Sequence, residues 1–199
     1  MLASNLIAGR LEAGCDEAGR GPLAGPVVAA AVILADDYTN PLLNDSKQLS
    51  ERRRNLLREE IEREARAWAV AVVEPEEIDR LNILRASTHA MCLAVQQLDI
   101  KPEFLLIDGN RFYNETDIPY QTFVKGDARF MSIAAASILA KTHRDELMCR
   151  LHEQYPFYGW DRNKGYPTAD HYRAIEQHGP TPFHRRSFNL YRQHSLFES

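Results

Sequence analysis

Cysteine is scarce in this 199-residue chain: Cys15, Cys92 and Cys149 are odd in number and far apart. That argues against a disulfide framework, and no zinc-ligand spacing connects them. Long apolar runs are missing too. The longest, Val27 to Ala35, is nine residues, too short to cross a bilayer. Met1 to Gly14 shows no basic leader ahead of a long apolar core, so a cytoplasmic protein with reduced thiols is expected, without a membrane role. Repeats, linkers and low-complexity segments are absent, and no histidine pair has a convincing metal spacing. Charge excess is absent as well: the net charge of −4 does not by itself advertise a nucleic-acid binder.

What remains is an ordinary globular composition, 44% hydrophobic and 26% charged, with enough chain for one domain and a sizeable core. Charge is unevenly spread. Residues 160–199 hold six Lys or Arg against four Asp or Glu, and four of the seven histidines. A modest basic face there could bind phosphates, although a solvated helical surface reads equally well.

Apolar periodicity predicts strands over Leu6–Asp16, Val27–Leu34, Trp68–Val73, Phe104–Ile107 and Tyr120–Val124. Ser50 is placed to cap a helix carrying Leu57, Ile61, Ala65 and Trp68 on one face, with Glu59–Arg63 and Glu62–Arg66 as solvent-side pairs. Pro75 starts a short helix, and Ile83–Leu98 fits a longer one. Ala128–Tyr155 reads as a long helix whose Ala-rich half can pack closely on a sheet. Pro156–Pro167 reads as an aromatic loop, and Thr168 as the cap of one more helix. The order predicts an α/β fold, a sheet followed by helices.

The most informative stretch is Cys15-Asp16-Glu17-Ala18-Gly19-Arg20-Gly21-Pro22-Leu23-Ala24-Gly25-Pro26. Carboxylates hold hard divalent metals, glycines let a backbone approach a ligand, and an arginine fork grips a phosphate or carboxylate. Acidic residues recur where strands stop: Asp16 and Glu17, Asp108, Asp127. Singly each is an ordinary turn; together they supply what a pair of divalent ions about 3.5–4 Å apart needs for phosphodiester hydrolysis. Neighbouring strand residues point to opposite faces, so a bulge or the strand end must turn Asp16 or Glu17. The glycine loop is also a loose dinucleotide fingerprint. Its glycine spacing is off by one, Pro22 stands where a helix would begin, and the acidic pair would repel a pyrophosphate.

Six motifs in series then carry a family resemblance: Asp16-Glu17-Ala18-Gly19-Arg20-Gly21-Pro22, Asn44-Asp45-Ser46-Lys47, Leu106-Ile107-Asp108-Gly109, Val124-Lys125-Gly126-Asp127, Ala135-Ala136-Ser137-Ile138-Leu139-Ala140-Lys141 and Lys164-Gly165-Tyr166-Pro167-Thr168. Over roughly residues 10 to 190 the chain resembles bacterial ribonuclease HII. The resemblance implies a ribonuclease H-like fold, with a central mixed sheet flanked by helices. It implies one catalytic domain over 1–199, of which about 156–199 is a C-terminal helical and loop extension contributing substrate contacts. It implies cleavage of RNA paired with DNA and incision at single ribonucleotides in duplex DNA, leaving 3′-hydroxyl and 5′-phosphate ends. Mn²⁺ or Mg²⁺ is the implied cofactor, two ions during catalysis, in a monomer.

By that resemblance Asp16, Glu17, Asp108 and Asp127 are the catalytic metal ligands. The Gly19-Arg20-Gly21 backbone senses the ribose 2′-hydroxyl, and Tyr166 sets its ring against the following sugar. Lys47 and Lys141 are candidate phosphate contacts, Ser137 is a candidate substrate contact on the same helical face as Lys141, and His143, Arg144, Arg185 and Arg186 are extensions of the track. Ribonuclease HIII resembles the same pattern, but Arg20 stands where it usually has lysine, and Asp16 lies too near Met1 for its extra domain. A hybrid-binding module would have no use for four converging acids; another metal-dependent nuclease would ignore the 2′-hydroxyl. At the C-terminus, Gln193-His194-Ser195-Leu196-Phe197 looks like the short peptide with which bacterial repair proteins bind the sliding clamp, apart from His194.

Overall fold

The computed structural model describes residues 2–43 and 49–191; Lys47 and the Gln193–Phe197 peptide lie outside them. Strand β1 (Glu12–Ala18) pairs antiparallel with β2 (Val27–Ile33), which pairs antiparallel with β3 (Ala67–Val73). On its other side β1 pairs parallel with β4 (Phe104–Asp108), and β4 pairs parallel with β5 (Tyr120–Phe123). The result is a mixed five-stranded sheet in the order β3-β2-β1-β4-β5. All of β2 is buried, as an unbroken apolar run requires of a strand covered on both faces.

Helices cover each face. On one side α2 (Pro75–Leu81) and α3 (Ile83–Gln96) bury Ile78, Ala90 and Met91 against Ala13, Cys15, Ala29 and Ile107. On the other, α1 (Glu51–Glu64) and α4 (Met131–Gln154) bury Leu57, Ile61, Ala135 and Leu139 against Ala30 and Val32. Ser50 does cap α1, its hydroxyl accepting the Arg53 N–H. The small residues of α4 let it lie almost on the sheet. A Cβ on Gly14 would fall 2.3 Å from the Ile133 nitrogen, so β1 must carry glycine there. Beyond α4 come α5 (Trp160–Asn163) and α6 (Ala169–His178), with Thr168 capping α6 at the His171 N–H.

Several expected boundaries move. Strand β1 starts at Glu12, because the Glu12 carboxylate accepts the N–H groups of Leu6 and Ile7 (2.6 and 3.0 Å) and folds the approach into a turn. It continues through Asp16 to Ala18. Trp68 belongs to β3, its indole N–H reaching back to the Glu62 carbonyl (3.0 Å). Among the described residues the ion pairs within α1 are Arg58–Glu62, with the arginine first, and the adjacent Arg63–Glu64, in place of the expected Glu59–Arg63 and Glu62–Arg66. A tight turn over Gly126–Ala128 delays α4 to Met131, and the aromatic loop contains a helical turn at Pro156–Tyr158 and α5. Among the described residues, no helix is long and apolar enough to cross a membrane.

Candidate active site at the strand ends

The carboxylates stand at one end of the sheet. Asp16, only 6% exposed, shares the α4-facing side of β1 with Gly14 and is hydrogen-bonded by Ser137. Its Oδ1 also accepts the Glu17 N–H (2.7 Å). Strand alternation should send Glu17 to the opposite face. It nevertheless lines the same cleft as Ser137, because β1 ends one residue later and Gly19, at φ +99°, turns the chain. Asp108 closes β4, and its Oδ1 accepts the Gly126 N–H (2.7 Å). That bond ties β4 to the turn carrying Asp127, itself 5% exposed.

Burial, then the charges of Glu17 and Asp108, hold the Asp16 carboxyl well above the usual carboxylate range. Burial raises Glu17 as well; Arg20, which donates to its Oε1 (3.2 Å), pulls the other way, and Asp108 adds to the rise. Asp16, Glu17 and Asp108 therefore feel one another as like charges in a poorly solvated place. Buried acids of this kind are stabilised by a cation among them, and a set made only of carboxylate oxygens suits a hard divalent ion. The donor set fits such a metal. Among the described residues no three of these groups are drawn tightly round one point.

Next to the acids lies an open cleft of about 450 Å³. It gathers Gly19, Arg20, Gly21, Ser137, Lys141 and Tyr166 from three segments of the chain, with Glu17 on its wall. Lys141 Nζ rests on Asp145 Oδ1 (2.6 Å), one helical turn away. Arg54 of α1 also lines the cleft. Sequence reasoning missed it, although Arg52-Arg53-Arg54 after the Ser50 cap was the available signal.

Three of the four proposed extensions of a phosphate track are engaged elsewhere in the fold. Arg144 and Arg185 are buried, at 1% and 0% exposure. His143 sits between Glu62 (2.9 Å) and the Arg58 guanidinium (3.3 Å), within an ion network between α1 and α4. Arg186 is exposed, and the bond to Asp79 (2.8 Å) uses its backbone N–H rather than its guanidinium.

Tyr166 is held from behind by a buried relay. The partners fix the histidine tautomers. Thr181 N–H donates to His184 Nδ1 (2.9 Å), so the His184 proton is on Nε2 and points at His171 Nε2 (3.2 Å). The same His171 nitrogen accepts the Trp160 indole N–H (3.0 Å), which leaves His171 Nδ1–H for the Tyr166 carbonyl (3.0 Å). Burial lowers both histidines, His184 to about 4, with His171 adding to that fall.

The arrangement has recognisable relatives. The ribonuclease HII family model matches residues 13–191. Ribonuclease HII of Bacteroides thetaiotaomicron is 64% identical over 190 residues, covering 96% of this chain and 95% of the relative. Among solved structures, the RNase HII of Archaeoglobus fulgidus in complex with PCNA matches with TM-score 0.76 and 29% identity, over 94% of this chain and 98% of that one. Bst-RNase HIII in complex with Mn²⁺ matches with TM-score 0.71 and 20% identity, over 95% of this chain and 70% of that one, and shares the fold.

Proposed function

The chain belongs to the ribonuclease HII family, a metal-dependent nuclease acting on the RNA strand of RNA–DNA hybrids, and on that premise we propose that it also incises 5′ to single ribonucleotides in duplex DNA. One observation carries the proposal. The glycine loop, Tyr166 and the phosphate-binding candidates of α4 line a single cleft whose wall includes Glu17. A nuclease indifferent to sugar identity needs the acids but not a backbone-lined pocket beside them. Glycine peptides can approach a 2′-hydroxyl closely because no Cβ intervenes. Tyr166, 43% exposed, has a ring free to lie against the neighbouring sugar.

In this reading Asp16, Glu17, Asp108 and Asp127 would hold two divalent ions, which when bound supply water activation and stabilisation of the leaving oxygen. Mn²⁺ and Mg²⁺ both suit the donor set. Gly19, Arg20 and Gly21 orient the ribose, while Ser137, Lys141 and Lys47 hold phosphates and keep the scissile bond beside the acids. The products carry 3′-hydroxyl and 5′-phosphate ends. Residues 1–199 act as one catalytic domain, with about 156–199 as the extension that brings Tyr166 to the cleft. Gln193–Phe197 is the segment that would dock on a sliding clamp, a reading supported by the clamp complex of the archaeal relative.

The test is cleavage of a DNA duplex containing one ribonucleotide, with Mg²⁺, Mn²⁺ or chelator, beside an all-DNA control. A single metal-dependent cut 5′ to the ribonucleotide supports the reading. Cleavage of a uniform hybrid without that cut rejects it. Clamp docking is tested separately by pull-down with and without residues 193–199, where equal capture rejects it.

A further inference from the structure

The substrate reading leaves unused two of the most deeply buried large side chains, Arg144 and Arg185. Among the described residues neither guanidinium bonds a carboxylate; their donors go to backbone carbonyls. Arg185 donates to Gly25 O (3.0 Å), Arg20 O (3.1 Å), Gly19 O (2.6 Å) and Pro26 O (3.2 Å). Arg144 donates to Pro26 O (2.9 Å), Ala24 O (3.2 Å) and Lys164 O (2.9 Å). Between them they grip the glycine loop from Gly19 to Pro26 and the strand of chain that leads into Tyr166.

This arrangement is costly. Burial pulls Arg144 down to about 10 and Arg185 to about 9, where the neighbouring Arg144 charge adds to the fall. Both remain charged at neutral pH, as two cations near each other out of water. Apolar side chains of similar size commonly fill such space at no loss of stability. What they could not supply is a fixed direction for each carbonyl. In a trans peptide the N–H points opposite to its C=O. With the Gly19 and Arg20 carbonyls drawn inward onto Arg185, the N–H groups of Arg20 and Gly21 are turned away from it, the side on which Gly19, Arg20 and Gly21 line the cleft. Arg144 fixes the other coordinate. It lies so close beneath the loop that a Cβ on Gly19 would come within 2.1 Å of its Nε, and it spans from the loop to Lys164, two residues before Tyr166.

We propose that Arg185 and Arg144 are positioning residues for ribonucleotide recognition: Arg185 sets the peptide orientation of Gly19-Arg20-Gly21, and Arg144 sets the distance from that loop to Tyr166. The proposal rests on the reading that the loop senses the 2′-hydroxyl. Neither arginine touches substrate.

The experiment is a double-mutant cycle in the full chain between Arg185→Lys and Gly21→Ala, measured on the single-ribonucleotide duplex. Lysine keeps the charge but cannot hold four carbonyls. Alanine at 21 fits the protein, its Cβ meeting only the Tyr166 ring at 3.5 Å, so its effect falls on the substrate side. Arg185→Lys is expected to lose at least tenfold, chiefly in kcat with KM within threefold, while Mn²⁺ affinity by calorimetry stays within twofold. On the Gly21→Ala background it should cost less than twofold more, because both changes act through one loop. Full activity of Arg185→Lys beside an impaired Gly21→Ala overturns the proposal and spares the loop reading. The same tenfold loss on both backgrounds also overturns it, since that marks general damage. An unimpaired Gly21→Ala overturns the loop reading and this proposal with it. If Arg185→Lys melts below the assay temperature, Arg144→Lys enters the same cycle with the same criteria.

Discussion

Two buried polar regions flank the cleft, and they are built on opposite terms. At the strand ends Asp16, Glu17 and Asp108 bring like charges together, and burial first, then that repulsion, drives the Asp16 and Glu17 carboxyls upward. Behind the cleft, Trp160, His171, His184, Arg144 and Arg185 are just as buried, yet their donors find acceptors, ring nitrogen to ring nitrogen and guanidinium to carbonyl. On the proposed reading, the acidic region gives up stability to hold groups ready for a cation and a phosphate. The C-terminal region uses satisfied hydrogen bonds to keep the recognition surface still. Like charges brought together under burial point to chemistry; charge met by backbone carbonyls points to geometry.

Several changes would break or sharpen that contrast. The largest effect is expected from Asp16→Asn or Asp127→Asn. Cleavage of the single-ribonucleotide duplex should fall by roughly a thousandfold or more, since on the proposed reading these residues would hold the ion that supplies water activation. Asp16→Asn should at the same time melt no lower than the unaltered protein in metal-free buffer, because it removes a repelled charge. A clear drop in its melting temperature would place Asp16 in the structural region instead.

Gly19→Ala comes next. Its Cβ would collide with Arg144 at a φ of +99°, a conformation costing a non-glycine residue about 1–2 kcal/mol before the clash. Strongly reduced ribonucleotide incision together with a lower melting temperature is expected. Unchanged activity would show that the loop tolerates displacement.

Acid should then act on the two regions with opposite signs. His184 titrates at about 4 when folded, below its ordinary 6.5, so the unfolded chain takes up the proton first. Its contribution is complete above pH 6.5 and is lost as pH falls toward 4, at up to about 1.4 kcal/mol per pH unit. Asp16 is raised on folding, so the folded state takes up the proton first, and acid relieves its strain above its ordinary 3.8. His184→Phe should flatten the fall of melting temperature between pH 6.5 and 4, and Asp16→Asn should steepen it. Parallel curves for both variants would contradict the contrast. The smallest change is Thr168→Ala, which removes the α6 cap behind His171 and should cost about 1 kcal/mol in denaturant titrations with activity nearly kept.

Much of this was legible in the chain. The apolar run of β2, the Ser50 and Thr168 caps, the Pro75 start and the small-residue half of α4 are local patterns, and each produced its element. The Gly-Arg-Gly loop, Ser137, Lys141 and Tyr166 were named from motifs and do share one cleft. Other features escaped. The turn before β1 depends on where one carboxylate, Glu12, sends its bonds. The exit of Glu17 toward the α4 side depends on how soon the strand ends, which alternation alone does not predict.

By itself the sequence determined the family, the order of strands and helices, and the residue types brought to the strand ends, because these follow from local propensity and from motifs short enough to read. Only the tertiary structure decided which basic residues line the cleft and which face the core. Arg144 and Arg185 resemble phosphate ligands in the chain, but the carbonyls that claim them come from residues as far as 166 positions away. An arginine points toward whichever acceptors folding places within its reach, and for these two they are buried carbonyls of the glycine loop.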